Sequence, residues 1–209
     1  MEKAYRHLPY FFLLAIPITL AAFYPTYLVQ FPNFSERNDG FTHVHGIISV
    51  VWLAMLIAQP FLIRNKKYEL HRKVGRLSYV VFPLLILSFI PQIVKSSHYN
   101  FVTIFFPIAD SVVMIVLYSL AIYNRNDSSK HMRYMIGMTL VFLFPTLGRI
   151  EPIWLGIVDT IGQDINYGII YMILIGLSFY DRSHQKDFKP YLVSIPFFAM
   201  HQLVFHLLF

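Results

Sequence analysis

Three polar side chains stand in stretches otherwise suited to a lipid interior: His45, Asp110 and His201. Two imidazoles and a carboxylate form a donor set for zinc or iron. The same groups are the parts of a proton relay, or of a hydrogen-bonded polar core that holds helices in register. Which of these applies depends on whether the three meet, and the elements that carry them decide that.

The chain has 209 residues, 56% hydrophobic and 13% charged, whereas a soluble domain is about 25% charged. Its apolar residues come in long runs, not in alternating or helical stripes with a charged face, and mean hydropathy is +0.55. An α-helix needs about 20 apolar residues to cross the hydrocarbon layer. Seven stretches qualify, near residues 8–28, 43–63, 75–94, 101–123, 133–150, 165–180 and 191–209. The expectation is an all-α, polytopic integral membrane helical bundle of seven transmembrane helices, forming a single domain over residues 1–209. Between the fifth and sixth runs, IEPIWLGIVDTIGQDIN reads as a loop with a short interfacial helix or as an extension of the fifth span. Prolines 17, 25, 60, 83, 107, 145 and 196 fall within or near spans, where they predict kinks that neighbouring helices absorb. The first run has no small-residue cleavage site after it and is expected to be retained.

The net charge is +6 and the isoelectric point about 9.5. Nucleic-acid binding would need a basic groove on a soluble surface, and here the basic residues lie between apolar runs. With the N-terminus in the cytoplasm, 14 of the 17 Lys and Arg fall inside, among them Lys3, Arg64, Arg76 and Arg133. Only Arg37, Lys95 and Arg149 fall outside. That alternation follows the positive-inside rule. It predicts an N-terminus inside and a C-terminus outside, in a bacterial inner (cytoplasmic) membrane whose anionic lipids are the expected partners. Cysteine is absent, which excludes disulfides, thiolate ligands and a catalytic cysteine. Neither a phosphate-binding glycine loop nor a serine elbow occurs, which argues against nucleotide-driven work and serine hydrolysis.

Topology turns sequence position into depth. His45, Ser49, Trp52 and Gln59 share one face of the second span, expected to look into the bundle. His43 points away and reads as interfacial. Asp110 falls roughly 13 Å below the outer end of the fourth span, and His201 roughly 12 Å below the outer surface on the seventh. His206 falls roughly 4–5 Å below that surface and about 140° around the helix from His201, stacked on Gln202. The outer half is thus expected to join His45, Asp110 and His201, with Gln92, Arg149 and Glu151 nearer the rim. There Arg149 and Glu151 would neutralise each other. A second set opens helices from the inside: His71 and Arg76 in LHRKVGRLSY, His131 and Arg133 in KHMRYM. Basic and aromatic residues at that level anchor helices; alternatively they hold an anionic headgroup, a quinone or haem propionates.

The stretches THVHGIISVVWLAMLIAQPFLI, LHRKVGRLSY and KHMRYMIGMTLVFLFPTLGR resemble an uncharacterised family of bacterial multi-span membrane proteins. That family shows a histidine opening one helix, an LHR-x-x-GR-x-Y stretch and a later HRRWM-type helix start. The matching positions are His45, Gln59, His71, Arg72, Gly75, Arg76, His131, Arg133 and Arg149, over the second to fifth helices. The chain departs from the pattern at LSY and at HMRYM. This resemblance implies a fold and no reaction. The chain is loosely similar to adiponectin-receptor and alkaline-ceramidase proteins, which implies zinc on His45, Asp110 and the seventh-helix histidines. Here those histidines are spaced H-x-x-x-x-H instead of H-x-x-x-H. It is also loosely similar to di-haem b-type cytochromes, which implies haem b with His71 and His131 as the inner pair and His45 and His201 as the outer. Three functions follow. The first is a metal- or haem-dependent membrane enzyme, an oxidoreductase or hydrolase, acting on a small lipophilic substrate or quinone. The second is a proton-coupled transporter or channel using Asp110 and His201. The third is a non-catalytic assembly or accessory subunit. Imidazoles outnumber acids among the buried polar residues, which places the enzyme first.

Overall fold

A computed structural model describes residues 5–35, 38–96 and 101–209. Lys3 and Arg37, which enter the charge count, lie outside the described residues. The protein is 83% helix with no strand among the described residues. Five helical segments are long and apolar enough to cross a membrane: Gly40–Arg64, Tyr68–Lys95, Ile104–Tyr123, Ser128–Trp154 and Lys189–Leu208. The chain divides into two compact units, Met1–Tyr99 and Asn100–Phe209.

The first unit contains α1 (Leu8–Leu13), α2 (Ala15–Phe23), a 3-10 turn (Leu28–Gln30), α3 (Gly40–Arg64) and α4 (Tyr68–Ser96). The first predicted span is therefore two short helices. Pro17 has no N–H to donate and its ring crowds the carbonyl four residues back, at Leu13. The helix breaks next to that carbonyl, at Leu14, whose N–H turns to Phe11 at 3.1 Å. α3 starts cleanly because Asp39 caps it, its Oδ1 accepting from both the N–H and the hydroxyl of Thr42 at 2.9 Å. Lys95 Nζ lies 3.3 Å from the other oxygen of Asp39. α3 and α4 form a hairpin that turns at Lys66, in the left-handed region at φ 57°. The face that packs on α4 carries His45, Ser49, Trp52 and Gln59. Trp52 meets Phe82 at 5.2 Å between rings, and Gln59 Nε2 donates to the His71 carbonyl at 3.3 Å. The outward faces of both helices, with Ile47, Val50, Val80 and Leu87 exposed, are apolar. Water would penalise such a surface and lipid would not.

The second unit contains α5 (Phe101–Tyr123), α6 (Ser128–Leu140), α7 (Leu143–Trp154), α8 (Asp159–Ser183) and α9 (Lys189–Leu208). The fifth predicted span is broken into α6 and α7 ahead of Pro145, by the same conflict as at Pro17. The crowded carbonyl is that of Val141. Around it the bonds shorten to three-residue turns: Val141 N–H to Met138, Phe142 N–H to Thr139 and Phe144 N–H to Val141, at 3.3, 3.1 and 3.1 Å. Downstream, α7 continues through Glu151 to Trp154, so only the first residues of the ambiguous segment extend the fifth span, and its last ones belong to α8. α8 then begins at Asp159, before the predicted start at 165. Gly156, at φ +65°, makes the turn between them. α8 spans 25 residues, but Gln163, Asp164 and Asn166 near its start and Asp181 and Arg182 at its end leave it outside the five apolar segments. α6 packs on α5 and α9, and α8 packs on α7 and α9. At the α6–α9 crossing a Cβ on Gly137 would sit 2.8 Å from Ser194 Oγ, so only glycine permits that approach.

Candidate functional site

The second unit holds nearly all of the buried polar side chains. One stripe of α8 carries several of them: Gln163, Asn166, Ser178 and Asp181 share a buried face with Tyr167, Ile170 and Leu174. Three of those positions meet polar groups on other helices, at two levels of the unit.

At one level, α5 supplies Asp110, α9 supplies His201 and α8 supplies Tyr167. His201 Nε2 lies 3.1 Å from Asp110 Oδ1, and its Nδ1 lies 2.7 Å from the Tyr167 hydroxyl. All three are buried, Tyr167 fully. The imidazole is enclosed by aromatic rings. Phe144 of α7 stacks on it at 4.7 Å with the planes 2° apart, and Phe105 meets it edge-on at 5.0 Å. Phe144 stands at the start of α7, just past the break before Pro145. A neutral imidazole has one donor and one acceptor nitrogen, whereas a carboxylate only accepts. With Asp110 ionised, Nε2–H donates to it and Nδ1 accepts from the Tyr167 hydroxyl. One added proton makes Nδ1 a donor and turns the phenol oxygen into its acceptor. The cluster can therefore hold an extra proton by reversing one hydrogen bond, without moving a helix.

At the other level, Arg133 of α6 donates from Nε to Asp181 Oδ2 of α8 at 2.7 Å, and both side chains are fully buried. The Arg133 Nη1 also donates to the Ser129 carbonyl at 3.0 Å and to the Ser129 hydroxyl. Guanidinium does not deprotonate in proteins, so Arg133 brings a permanent charge to the pair. Next to it, His131 Nδ1 lies 2.8 Å from the Ala121 carbonyl.

The sequence-predicted residues divide accordingly. Asp110 and His201 meet. His45 lies in the first unit, where Nδ1 bonds the Ser88 hydroxyl at 2.8 Å and Ser49 Oγ lies 3.5 Å from Nε2. Among the described residues no group of three or more His, Asp or Glu is placed to hold a metal ion. Of the inner set, His71 and Arg76 belong to the first unit, with Arg76 exposed on α4. His131 and Arg133 belong to the second, and Arg133 is turned to Asp181. Gln92 has its amide nitrogen buried without a hydrogen-bond partner. Glu151 accepts from Asn166 Nδ2 at 3.2 Å, and Arg149 Nη1 donates to the Pro145 carbonyl at 2.6 Å. His206 Nε2 lies 2.9 Å from Asp164 Oδ1, both half exposed. Sequence reasoning missed Tyr167, Gln163, Asn166 and Asp181. Their shared spacing along α8 was the available signal, but Asp181 beside Arg182 reads as an interfacial charge.

Comparison with protein families, curated proteins and solved structures finds no match. Fold and site together define a helical integral membrane protein with a polar interior in its second unit. Within that class, its distinguishing feature is a buried Asp–His–Tyr chain inside an aromatic cage.

Proposed function

We propose that the protein crosses the bacterial inner membrane seven times, N-terminus in the cytoplasm, and conducts protons through Asp110, His201 and Tyr167. The basic loops support that orientation, and the charge count puts the cluster in the outer half. One observation carries the functional reading: both ring nitrogens of His201 are engaged, one by a carboxylate and the other by a phenol. That arrangement suits loading and unloading a proton. A metal would need the lone pair that one of those bonds uses, and haem ligation would also need the ring released from its stack on Phe144. The zinc, iron and haem b readings therefore ask for a rearranged His201.

The test is proton uptake into vesicles reconstituted with the full chain, read by an enclosed pH dye. Wild type is expected to acidify the lumen down an imposed gradient. Asp110→Asn, which keeps the shape but not the charge, is expected to abolish uptake. Uptake unchanged in Asp110→Asn overturns the proposal. So does about one zinc, iron or haem per purified chain that is lost in His201→Ala.

A further inference from the structure

A second polar cluster of the same unit takes no part in the proton chain. It lies on the seam between α7 and α8, around Glu151, Gln163 and Asn166. Glu151 is 4% exposed, Gln163 8% and Asn166 fully buried. At Gly162 the α8 backbone passes directly beneath the carboxylate: a Cβ there would lie 2.6 Å from Glu151 Oε2 and 3.2 Å from its Cδ. Asn166 Nδ2 donates to the same Oε2 at 3.2 Å. One helical turn before Glu151, Gly148 leaves room for the Gln163 amide, whose Nε2 would lie 3.0 Å from a Cβ at that position. Two residues of α7 and three of α8 therefore face one another across one patch.

Two atoms in that patch are unexplained. Gln163 Oε1 and Asn166 Oδ1 are both buried and accept no hydrogen bond. Leaving such an oxygen dry and unpaired is costly. Rotating the Asn166 amide does not help, because its oxygen would then face the Glu151 carboxylate. What remains is one carboxylate and two amide carbonyls, all hard oxygen donors with a single negative charge. That set suits a hard cation and not zinc or copper, which favour nitrogen and sulfur. One charge is balanced by one positive charge, whereas calcium sites usually gather several carboxylates. Arg149 does not compete. Two residues from Glu151 is about 200° around the helix, and its guanidinium reaches back to the Pro145 carbonyl.

We propose that Glu151, Gln163 and Asn166 form a binding site for an alkali-metal cation, which closes the seam between α7 and α8. The site is independent of the proton chain, and the two ideas fail separately.

The test is thermal unfolding of the purified full chain in detergent, in sodium, potassium or choline chloride at equal ionic strength. One of the alkali ions is expected to raise Tm saturably, by several degrees at about 100 times its Kd. Glu151→Gln and Gln163→Leu are expected to lose most of that rise. Asp110→Asn is expected to retain it while losing proton uptake. Equal Tm in choline and in both alkali chlorides overturns the proposal, and leaves ordered water as the partner of the two carbonyls. A full response in Glu151→Gln also overturns it. If that variant does not fold, Gly148→Ala, which crowds only the Gln163 amide, is expected to shift the response to higher salt. An unshifted response there counts equally against the site.

Discussion

The second unit buries two carboxylates against two bases, and the pairs are built for opposite purposes. Asp181 faces Arg133, whose charge is permanent, and the pair acts as a fixed bond between α6 and α8. Asp110 faces His201, whose other ring nitrogen meets a phenol that can donate or accept. Burial and distance are similar in the two pairs. The partner's chemistry decides which is a fastener and which can work. A buried acid in a membrane helix thus says little about function until its partner is known.

Unfolding and uptake measurements can break or sharpen that contrast. The largest effect is expected from Asp181→Ala, which leaves a buried guanidinium uncompensated and should cost about 3–5 kcal/mol. Detergent-phase unfolding reads this loss, and the double variant Arg133→Leu/Asp181→Leu should recover most of it. If Asp181→Ala costs no more than Asp110→Asn, the pairs are not different in kind. Tyr167→Phe is next. It leaves His201 Nδ1 without its donor, at about 1–3 kcal/mol, and should slow proton uptake as well as lower Tm. Gly137→Ala probes packing with no charge involved: the 2.8 Å approach to Ser194 must open, an overpacking cost of about 1–3 kcal/mol. It should leave the pH dependence of uptake unchanged. Asp110→Asn should cost only about 1 kcal/mol, since the amide oxygen still accepts from Nε2–H, while uptake vanishes.

The smallest effect belongs to a part-exposed carboxylate at the start of α3. The N–H and hydroxyl of Thr42, with Lys95 beyond them, hold the Asp39 carboxyl below its ordinary 3.8. A lowered folded value contributes stability above 3.8 that is lost as pH falls through the folded value. The Tm difference between wild type and Asp39→Ala should therefore shrink on acidification. A difference that grows would reverse the sign.

Much of the helical layout was legible in the apolar runs, because length and hydropathy are local properties. Five of the seven predicted spans recur as apolar helical segments. Proline position flagged the breaks at Leu14 and at residues 141–142, but not their severity. Pro60, Pro83, Pro91, Pro107 and Pro196 lie inside helices that run on past them. Sequence position brought Asp110 and His201 together, but the same reasoning added His45, which bonds Ser88 in the first unit. Tyr167 was not legible, because a tyrosine in an apolar run looks like packing until the other side of His201 is seen. Asp181 was hidden by its neighbour Arg182, since charge order at a boundary does not say which way each side chain turns.

The interruption between α6 and α7 has a mechanical consequence. A continuous helix transmits twist along its length, whereas a joint with shortened bonds and no proline N–H does so poorly. Arg133 rides on the segment before the joint and Phe144 on the segment after it. The ring that covers His201 and the arginine that pairs with Asp181 therefore stand on opposite sides of one joint.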